Sequence, residues 1–208
     1  MAHDSQHEAA NVRKWDARAD SFDQVRFDYF RWMQKRALSL VNPAPGLHFL
    51  DLGCGTGFAV RWIANALRYD GMFQGIDISP RMIQIAQSHS AGLSNVHFQV
   101  ATAEALPFDS AVFDAIVCTN SFHHYLHPQA VLTEIRRVLK QAGRVCILDV
   151  TADNFIVRRI DERTSRNEPE HVKFYSTAEY REMFKQVGLR PIMVKPILPP
   201  IKVHVAEK

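Results

Sequence analysis

The sequence predicts an α/β fold in which helices cover both faces of a mostly parallel β-sheet. Short apolar runs of strand length alternate along the chain with segments whose apolar residues recur at helical spacing. The first of these runs, 47–52, breaks into alternating glycines and then into a helix, which is how open α/β sheets hold a nucleotide-like molecule. At 208 residues, the chain is long enough for one domain with a substantial core.

The bulk composition is that of an ordinary globular protein, with 47% hydrophobic and 23% charged residues. A formal net charge of +3 is too small to indicate nucleic acid or a membrane surface as a partner. The first residues lack the apolar core of a signal peptide and no run reaches transmembrane length, so we expect a cytoplasmic protein. Cys54, Cys118 and Cys146 have no metal-ligand spacing, and we interpret them as reduced packing cysteines and expect no metal.

Helix signals separate five predicted strands in the central part of the chain. Ser79 is a predicted N-cap, with Pro80 at the first helical position. The apolar face of a later helix includes Leu139, and Gly143 is expected just beyond the end of that helix. The predicted strands span 47–52, 72–76, 96–100, 113–118 and 145–150.

The flanking segments are predicted to be a helical cap, an insertion and a closing unit. Residues 1–45 contain one or two helices, whose aromatic stripe either packs on the sheet or borders a substrate pocket. Residues 154–173 lose periodicity and gain charge, which indicates an insertion or lid within 151–175, and its arginines are more simply a solvated face than an anion site. A capping box starts the last helix, and two β-like runs complete residues 176–208.

Two details of the glycine turn indicate which nucleotide it holds. Gly53, Gly55 and Gly57 follow the spacing G-x-G-x-G, whereas the dinucleotide motif is G-x-G-x-x-G. Asp51 stands in the mouth of the turn, where a carboxylate would repel a pyrophosphate but would suit the ammonium and sulfonium of S-adenosylmethionine. Asp77 ends the next strand and is placed to accept hydrogen bonds from both ribose hydroxyls. The pattern favours S-adenosylmethionine over NAD.

Four segments of the central region form an ordered series. They are residues 51–57 (Asp-Leu-Gly-Cys-Gly-Thr-Gly), 75–82 (Gly-Ile-Asp-Ile-Ser-Pro-Arg-Met), 103–108 (Ala-Glu-Ala-Leu-Pro-Phe) and 113–117 (Phe-Asp-Ala-Ile-Val). This series resembles the successive motifs of class I S-adenosylmethionine-dependent methyltransferases, and is most similar to the ubiquinone/menaquinone and type 11 enzymes. The resemblance covers 47–150, and it implies a single domain over 1–208 with 46–150 as its cofactor-binding core. It also implies a Rossmann-like, seven-stranded, mostly parallel sheet of order 3-2-1-4-5-7-6.

The resemblance places the reacting groups outside the carboxyl ends of the first and fourth strands, where the winding of the sheet reverses. Residues 118–125 would border the transferred methyl group, with Thr119 and Asn120 near the methionyl end of the cofactor. His124 could face the substrate as a general base, although a direct displacement needs no base when its reactants are well aligned. We interpret His123 as a solvated or wall histidine.

The adenine of the cofactor is expected against Ile78 and Met82, although both side chains could equally be ordinary core. The family usually has Gly-Asp in its third motif, where this chain has Ala101 and Thr102 before Ala103. Thr102 can accept a hydrogen bond only without charge, and such a bond is weaker than a charge-assisted one. The backbone amide of Ala103 is unaffected by this departure.

The sequence therefore predicts a methyltransferase that moves a methyl group from S-adenosylmethionine to an O, N, S or C atom of a small molecule, as a monomer or homodimer. Two alternatives stay open. One is an NAD(P)-dependent oxidoreductase, against which the glycine spacing and Asp51 argue. The other is a protein that binds the cofactor without turnover, for which the departure at Thr102 and the lack of an unmistakable catalytic group leave room.

Overall fold

Strands and helices alternate through most of the chain. The computed structural model describes residues 2–24, 27–168 and 170–208. The strands are β1 (Leu47–Leu52), β2 (Gly71–Asp77), β3 (Val96–Val100), β4 (Phe113–Thr119), β5 (Leu139–Val150), β6 (Arg190–Leu198) and β7 (Ile201–Glu207). The helices are α1 (Ala2–Phe22), α2 (Phe27–Leu38), α3 (Phe58–Ala66), α4 (Pro80–Ser88), α5 (Pro128–Val138), α6 (Phe155–Asn167) and α7 (Thr177–Gln186), with a 3₁₀ turn at Phe122–His124.

All seven strands belong to one sheet of order β3-β2-β1-β4-β5-β7-β6, which confirms the Rossmann-like arrangement implied by the resemblance. The strands from β1 to β5 pair in parallel, whereas β7 is antiparallel to both β5 and β6. Because β2 and β3 extend from one side of β1 while β4 and β5 extend from the other, the sheet changes its direction of winding between β1 and β4.

Two hydrophobic cores form, one on each face of the sheet. Phe49 belongs to the core under α2, α3 and α4, whereas its neighbours Leu50 and Leu52 belong to the core under α5 and α7. This follows from the two-residue period of a strand, which sends successive side chains to opposite faces. β1 is therefore buried from both sides, as its nearly continuous apolar sequence predicts.

The predicted helix starts are confirmed. The Ser79 hydroxyl accepts a hydrogen bond from the Met82 amide at 3.1 Å, and Pro80 follows it as the first helical residue. Ser176 and Glu179 form the reciprocal capping box at the start of α7. Each device supplies partners for amides that a helix leaves without an internal acceptor.

The charged segment after β5 contains a regular helix, α6, where the sequence predicted a segment without periodicity. Asn154 starts this helix by accepting a hydrogen bond from the Val157 amide at 3.0 Å. Of the α6 side chains only Val157 is buried, whereas the apolar side chains of Phe155, Ile156 and Ile160 are exposed, so the apolar residues of this helix do not mark a face packed on the core. Asp161 faces inward and accepts hydrogen bonds from His171 and from the amide of Phe174.

The predicted boundary between α5 and β5 is wrong. α5 ends at Val138, and Leu139 is already extended and pairs with Phe113. Gly143 lies in a bulge of β5 and not at a helix end; a Cβ there would lie 2.9 Å from the Lys140 carbonyl oxygen. The glycine therefore serves a close approach of two backbone segments within the strand.

The aromatic stripe of the N-terminal segment has two separate uses. Met33 and Leu38 are buried in the core, as the packing alternative predicted. Trp15, Phe22 and Phe30 instead line a cavity above the sheet, and so they follow the pocket alternative. Tyr175 is a core residue that packs against the rings of Phe122 and Tyr180. Among the described residues, no helix combines the length and apolar character that crossing a bilayer requires.

Candidate active site

A cavity of about 730 Å³ lies at the carboxyl edge of the sheet, next to the point between β1 and β4 where the winding reverses. The segments that follow β1, β2, β3 and β4 form one wall together with the end of β5, and α1 and α2 contribute the other. The predicted site residues that line it are Gly53, Gly55, Asp77, Ile78, Met82, Thr102, Ala103, Thr119, Asn120 and His124. The wall as described does not include Asp51 or Gly57.

The glycine turn after β1 lets two segments approach closely. Gly53 has a φ of +67°, and a Cβ there would lie 2.6 Å from Oγ of Ser121 in the segment after β4. Gly57 has a φ of +78°, and its Cβ would lie 2.5 Å from the Phe98 ring on β3. Gly53 thus shapes the cavity wall itself, whereas Gly57 allows the start of α3 to pack on the sheet.

Asp51 is fully buried at the end of β1, and neither oxygen of its carboxyl group has a hydrogen-bond partner within the described part of the protein. Burial and, secondarily, the nearby charge of Asp77 raise the pKa of Asp51 well above its ordinary value. A buried carboxyl group without donors is costly, and a cationic group in the adjoining cavity would compensate it.

Asp77 lines the cavity from the end of β2 and fixes the glycine turn. Its carboxylate accepts hydrogen bonds from the amides of Gly55 and Ser79, both at 2.9 Å. Burial raises the pKa of Asp77, although these two amide hydrogen bonds act in the opposite direction.

The remaining predicted contacts lie at two ends of the cavity. At one end, Met82 and Ala103 are buried in the wall, and the Thr102 hydroxyl accepts a hydrogen bond from the Glu104 amide at 3.3 Å. At the other end, the Thr119 hydroxyl accepts a hydrogen bond from the Gln34 amide group at 3.0 Å, which ties α2 to the end of β4. Asn120 follows with a φ of +54°, a conformation that asparagine tolerates better than most residues.

His124 lines the cavity from the 3₁₀ turn. Its Nδ1 donates a hydrogen bond to the carbonyl oxygen of Glu170 at 2.8 Å, and its ring lies 5.3 Å from the ring of Trp15. Burial, with smaller contributions from neighbouring cationic groups, lowers the pKa of His124 far below the usual range of histidine. The imidazole is therefore neutral at physiological pH and a weak base.

His123, which the sequence reading assigned to a solvated or wall position, is paired with a buried carboxylate. Its Nδ1 lies 2.8 and 2.9 Å from the two oxygens of Asp149, near the end of β5. Asp149 was not among the predicted site residues. A signal for it existed, because β4 and β5 are parallel neighbours whose carboxyl ends reach the same edge of the sheet.

The region 43–188 of the chain, about two thirds of its length, matches the family described as a methyltransferase domain. The chain belongs to the class I S-adenosylmethionine-dependent methyltransferases. The predicted resemblance is thereby confirmed.

Relatives of this methyltransferase include an O-methyltransferase of Penicillium expansum, 37% identical over 55% of the chain and 42% of that protein. A demethylmenaquinone methyltransferase of Tropheryma whipplei is 33% identical over 56% of the chain and 47% of that protein. The chain thus spans about half the length of these curated relatives. A solved methyltransferase of Aquifex aeolicus superposes with a TM-score of 0.72 over 92% of the chain and 97% of its own, and at 22% identity it supports the fold.

Helix α1 of the methyltransferase crosses the cavity and is attached mainly through polar contacts. Of its described side chains, those of Asn11 and Ala19 are buried. The polar contacts pair Lys14 with Glu168 and Glu170, Asp16 with Ser79, and Asp20 with Arg81. Just beyond the helix, Asp23 accepts a hydrogen bond from the Thr56 hydroxyl at 2.7 Å.

Four histidines, His7, His123, His124 and His171, gather at one end of this cavity or beside it. Within the described ranges of the methyltransferase, no three or more His, Cys, Asp or Glu side chains are grouped so as to hold a metal ion. The imidazoles are instead occupied by hydrogen bonds to acidic side chains and to backbone or side-chain groups.

Proposed function

We propose that this methyltransferase binds S-adenosylmethionine in the cavity and transfers its methyl group to a small-molecule acceptor by direct displacement. The observation that carries the proposal is Asp51, a buried carboxyl group next to the glycine turn that has no hydrogen-bond partner among the described residues. An ammonium or sulfonium group would supply the missing charge compensation, whereas the pyrophosphate of a dinucleotide would add repulsion.

The other predicted residues fit the remaining parts of the same cofactor. Asp77 would accept hydrogen bonds from the ribose, and Gly53 lets the segment after β4 pack closely against the turn that borders the ligand. Apolar contacts for the adenine would come from Ile78 and Met82, with polar contacts from Thr102 and the Ala103 amide. The methionyl end would lie beside Thr119 and Asn120.

When bound, the sulfonium supplies an electrophilic methyl group, and the protein's task is to align an acceptor atom with it. Positioning of this kind can contribute about 7–11 kcal/mol to lowering a barrier. The described cavity would support this alignment because polar groups and aromatic rings surround it on several sides. Helix α1 covers it and would help to exclude water. The names of the relatives, an O-methyltransferase and a demethylmenaquinone methyltransferase, support a small-molecule acceptor.

Isothermal titration with S-adenosylmethionine and with S-adenosylhomocysteine tests cofactor binding directly. We expect saturable heat with both ligands and none with NADH, which serves as the control nucleotide. A folded protein that gives no heat with millimolar S-adenosylhomocysteine would refute the proposal. Transfer of labelled methyl from S-adenosylmethionine to a panel of acceptors then separates an enzyme from a protein that binds without turnover.

A further inference from the structure

Helix α6 has an outer face on which apolar and cationic side chains lie together. Its inner side is fixed on the protein, because Val157 is buried and Asp161 accepts hydrogen bonds from His171 and from the amide of Phe174. With 3.6 residues per turn, the side chains opposite Val157 and Asp161 share one face of the helix. The outer face consists of Phe155, Ile156, Arg159, Ile160, Arg163 and Arg166, all of which are exposed.

The apolar side chains of this face reach far into solvent. The exposed fractions are 75% for Phe155, 57% for Ile156 and 52% for Ile160, the three largest values among the large apolar side chains that the structure describes. Single exposed apolar residues are common on protein surfaces and need no explanation. Three of them within two turns of one helix form a patch, and such patches mark sites of interaction.

The acidic side chains around α6 are mostly engaged away from its outer face. Asp153 contacts Lys202, Asp161 contacts His171, and Glu168 and Glu170 both contact Lys14. In the part of the chain that the structure describes, no ion pair involves Arg159, Arg163 or Arg166. Charges that alternate in the sequence are therefore separated in space, and the outer face keeps three arginines with Glu162 at its edge.

An anionic lipid surface matches both properties of this face. Guanidinium groups bind phosphate oxygens through paired hydrogen bonds, and phenylalanine and isoleucine side chains enter the boundary between headgroups and acyl chains. The arginine stems can lie along apolar surface while their charged ends stay among the headgroups. α6 has 13 residues, a length of about 20 Å, which is too short to cross a hydrocarbon core of about 30 Å. It would therefore lie in the plane of the surface.

A protein partner fits the same face less well. A protein interface of standard size takes about 20–30 residues from each side, whereas this face offers six side chains on one protruding helix. In a symmetric pair of chains, two such faces would bring arginines against arginines, and like charges in contact oppose association.

We propose that the outer face of α6 docks this protein on an anionic lipid surface. Its apolar side chains enter the boundary below the headgroups, and its three arginines bind lipid phosphate groups. α6 is joined to the cavity wall, since Phe174 lines the cavity and its amide donates a hydrogen bond to Asp161 at 2.7 Å. Docking thus brings the lipid next to that wall. It does not depend on the methyl transfer proposed above.

Flotation of the whole chain with lipid vesicles tests the inference. We expect binding to vesicles of phosphatidylcholine that contain about one third phosphatidylglycerol, little binding to pure phosphatidylcholine, and a decrease as ionic strength rises. The double variant Arg159→Gln/Arg163→Gln should weaken the binding at least tenfold. Ile156→Gln/Ile160→Gln should also weaken it at least tenfold, although all three arginines remain.

Two double variants elsewhere on the surface serve as matched controls. Arg13→Gln/Arg181→Gln removes the same number of charges from exposed positions on α1 and α7. Met193→Gln/Val194→Gln removes apolar side chains that are 46% and 38% exposed on β6. Both controls should bind the vesicles within twofold of the unaltered protein, and thermal unfolding checks that all four variants are folded.

Insertion is measured separately with Phe155→Trp. Lipids brominated on their acyl chains should quench the fluorescence of this variant more than that of the unaltered protein, which has three tryptophans of its own.

The inference is overturned if the unaltered protein does not float with the anionic vesicles at low salt, or if either α6 double variant binds within twofold of it. Equal losses in the α6 variants and their controls would mean that net charge or general surface apolarity is responsible, which also overturns it. Self-association that the α6 variants abolish, in a protein that ignores vesicles, would assign the face to a second copy of the chain instead.

Discussion

The buried carboxyl group of Asp51 should lower the free energy of unfolding by a measurable amount. Its pKa is raised in the folded state, so the folded chain holds this proton more tightly than the unfolded chain does. Stability is therefore lost as the pH rises from the ordinary carboxyl range through the folded pKa. We expect Asp51→Asn to raise the free energy of unfolding at neutral pH by about 1–3 kcal/mol.

Urea unfolding of Asp51→Asn at several pH values checks this, with the exposed Asp109→Asn as the control. The same variant should bind S-adenosylmethionine at least tenfold more weakly, because the proposed partner of the ammonium has lost its charge. A variant that is less stable than the unaltered protein at every pH would contradict the role given to Asp51.

Asp77 should matter for affinity through both its charge and its hold on the glycine turn. Asp77→Ala removes the acceptor of the Gly55 and Ser79 amides as well as the proposed acceptor of the ribose hydroxyls. We expect at least a tenfold loss of affinity for S-adenosylhomocysteine in isothermal titration. Asp77→Asn keeps the size of the side chain and should lose less, and equal affinity in all three proteins would mean that the ribose lies elsewhere.

At the scale of elements, the start of α3 depends on a glycine for two separable reasons. Gly57→Ala would place a side chain at a positive φ and would push a Cβ against the ring of Phe98. We expect a loss of about 2–4 kcal/mol in the free energy of unfolding. Gly92→Ala is the matched control, since Gly92 has a φ of +88° and no atom of the described residues lies within 4 Å of the added Cβ.

Chemical denaturation of both variants separates strain from crowding. The Gly92 variant should lose only the conformational part, about 1–2 kcal/mol. Equal losses of unfolding free energy in the two variants would show that crowding against Phe98 adds nothing to the cost of Gly57→Ala.

Helix α1 should open more readily than α3, because Asn11 and Ala19 are its buried side chains among the described residues and charged pairs make up much of its remaining contact. Salt screens exposed charge pairs such as Asp20 with Arg81, so backbone amides of α1 should exchange faster with deuterium as ionic strength rises. Lys14→Met should have the same effect at low salt, since it removes the pairs with Glu168 and Glu170. Amides of α3, which is anchored by buried side chains, serve as the internal reference.

Bound S-adenosylhomocysteine should slow the exchange of α1 if the helix covers the cofactor. If the exchange rates of the α1 amides changed with neither salt nor ligand, the apolar contacts of α1 would be what holds it on the protein.

For the molecule as a whole, binding should appear as added thermal stability. A ligand at 100 times its dissociation constant adds about 2.7 kcal/mol, which for a protein of this size is about 5–11 °C in Tm. We expect that shift with S-adenosylhomocysteine in differential scanning fluorimetry, and none with NADH at the same concentration. An equal shift with both ligands would contradict the preference for a cationic cofactor.

The sequence predicted those parts of the molecule that are governed by local pattern. β1 and the caps at Ser79 and Ser176 follow from apolar runs and short-range hydrogen bonding, and they were placed correctly. α6 was missed because the many charges of this segment obscured a helical spacing that Ile156, Val157 and Ile160 do show. Gly143 was misread because glycine serves a strand bulge as well as a helix end.

The site was harder to predict wherever it depends on contacts between distant segments. The pairing of His123 with Asp149 joins residues on different elements, and no local spacing reveals it. In the part of the chain that the structure describes, no group donates a hydrogen bond to the buried Asp51 carboxyl group, and this too depends on residues far from it in sequence.

Cys54 lies between Gly53 and Gly55 in the turn that follows β1, and its buried thiol donates a weak hydrogen bond to the Gly55 carbonyl oxygen. Burial and the charges of Asp77 and Asp51 raise its pKa well above that of a free thiol. Alkylating reagents attack the thiolate, so iodoacetamide can label this position only in the moments when the turn is exposed. The rate of alkylation at Cys54, measured by mass spectrometry, would therefore report how often the glycine turn beside the cavity opens.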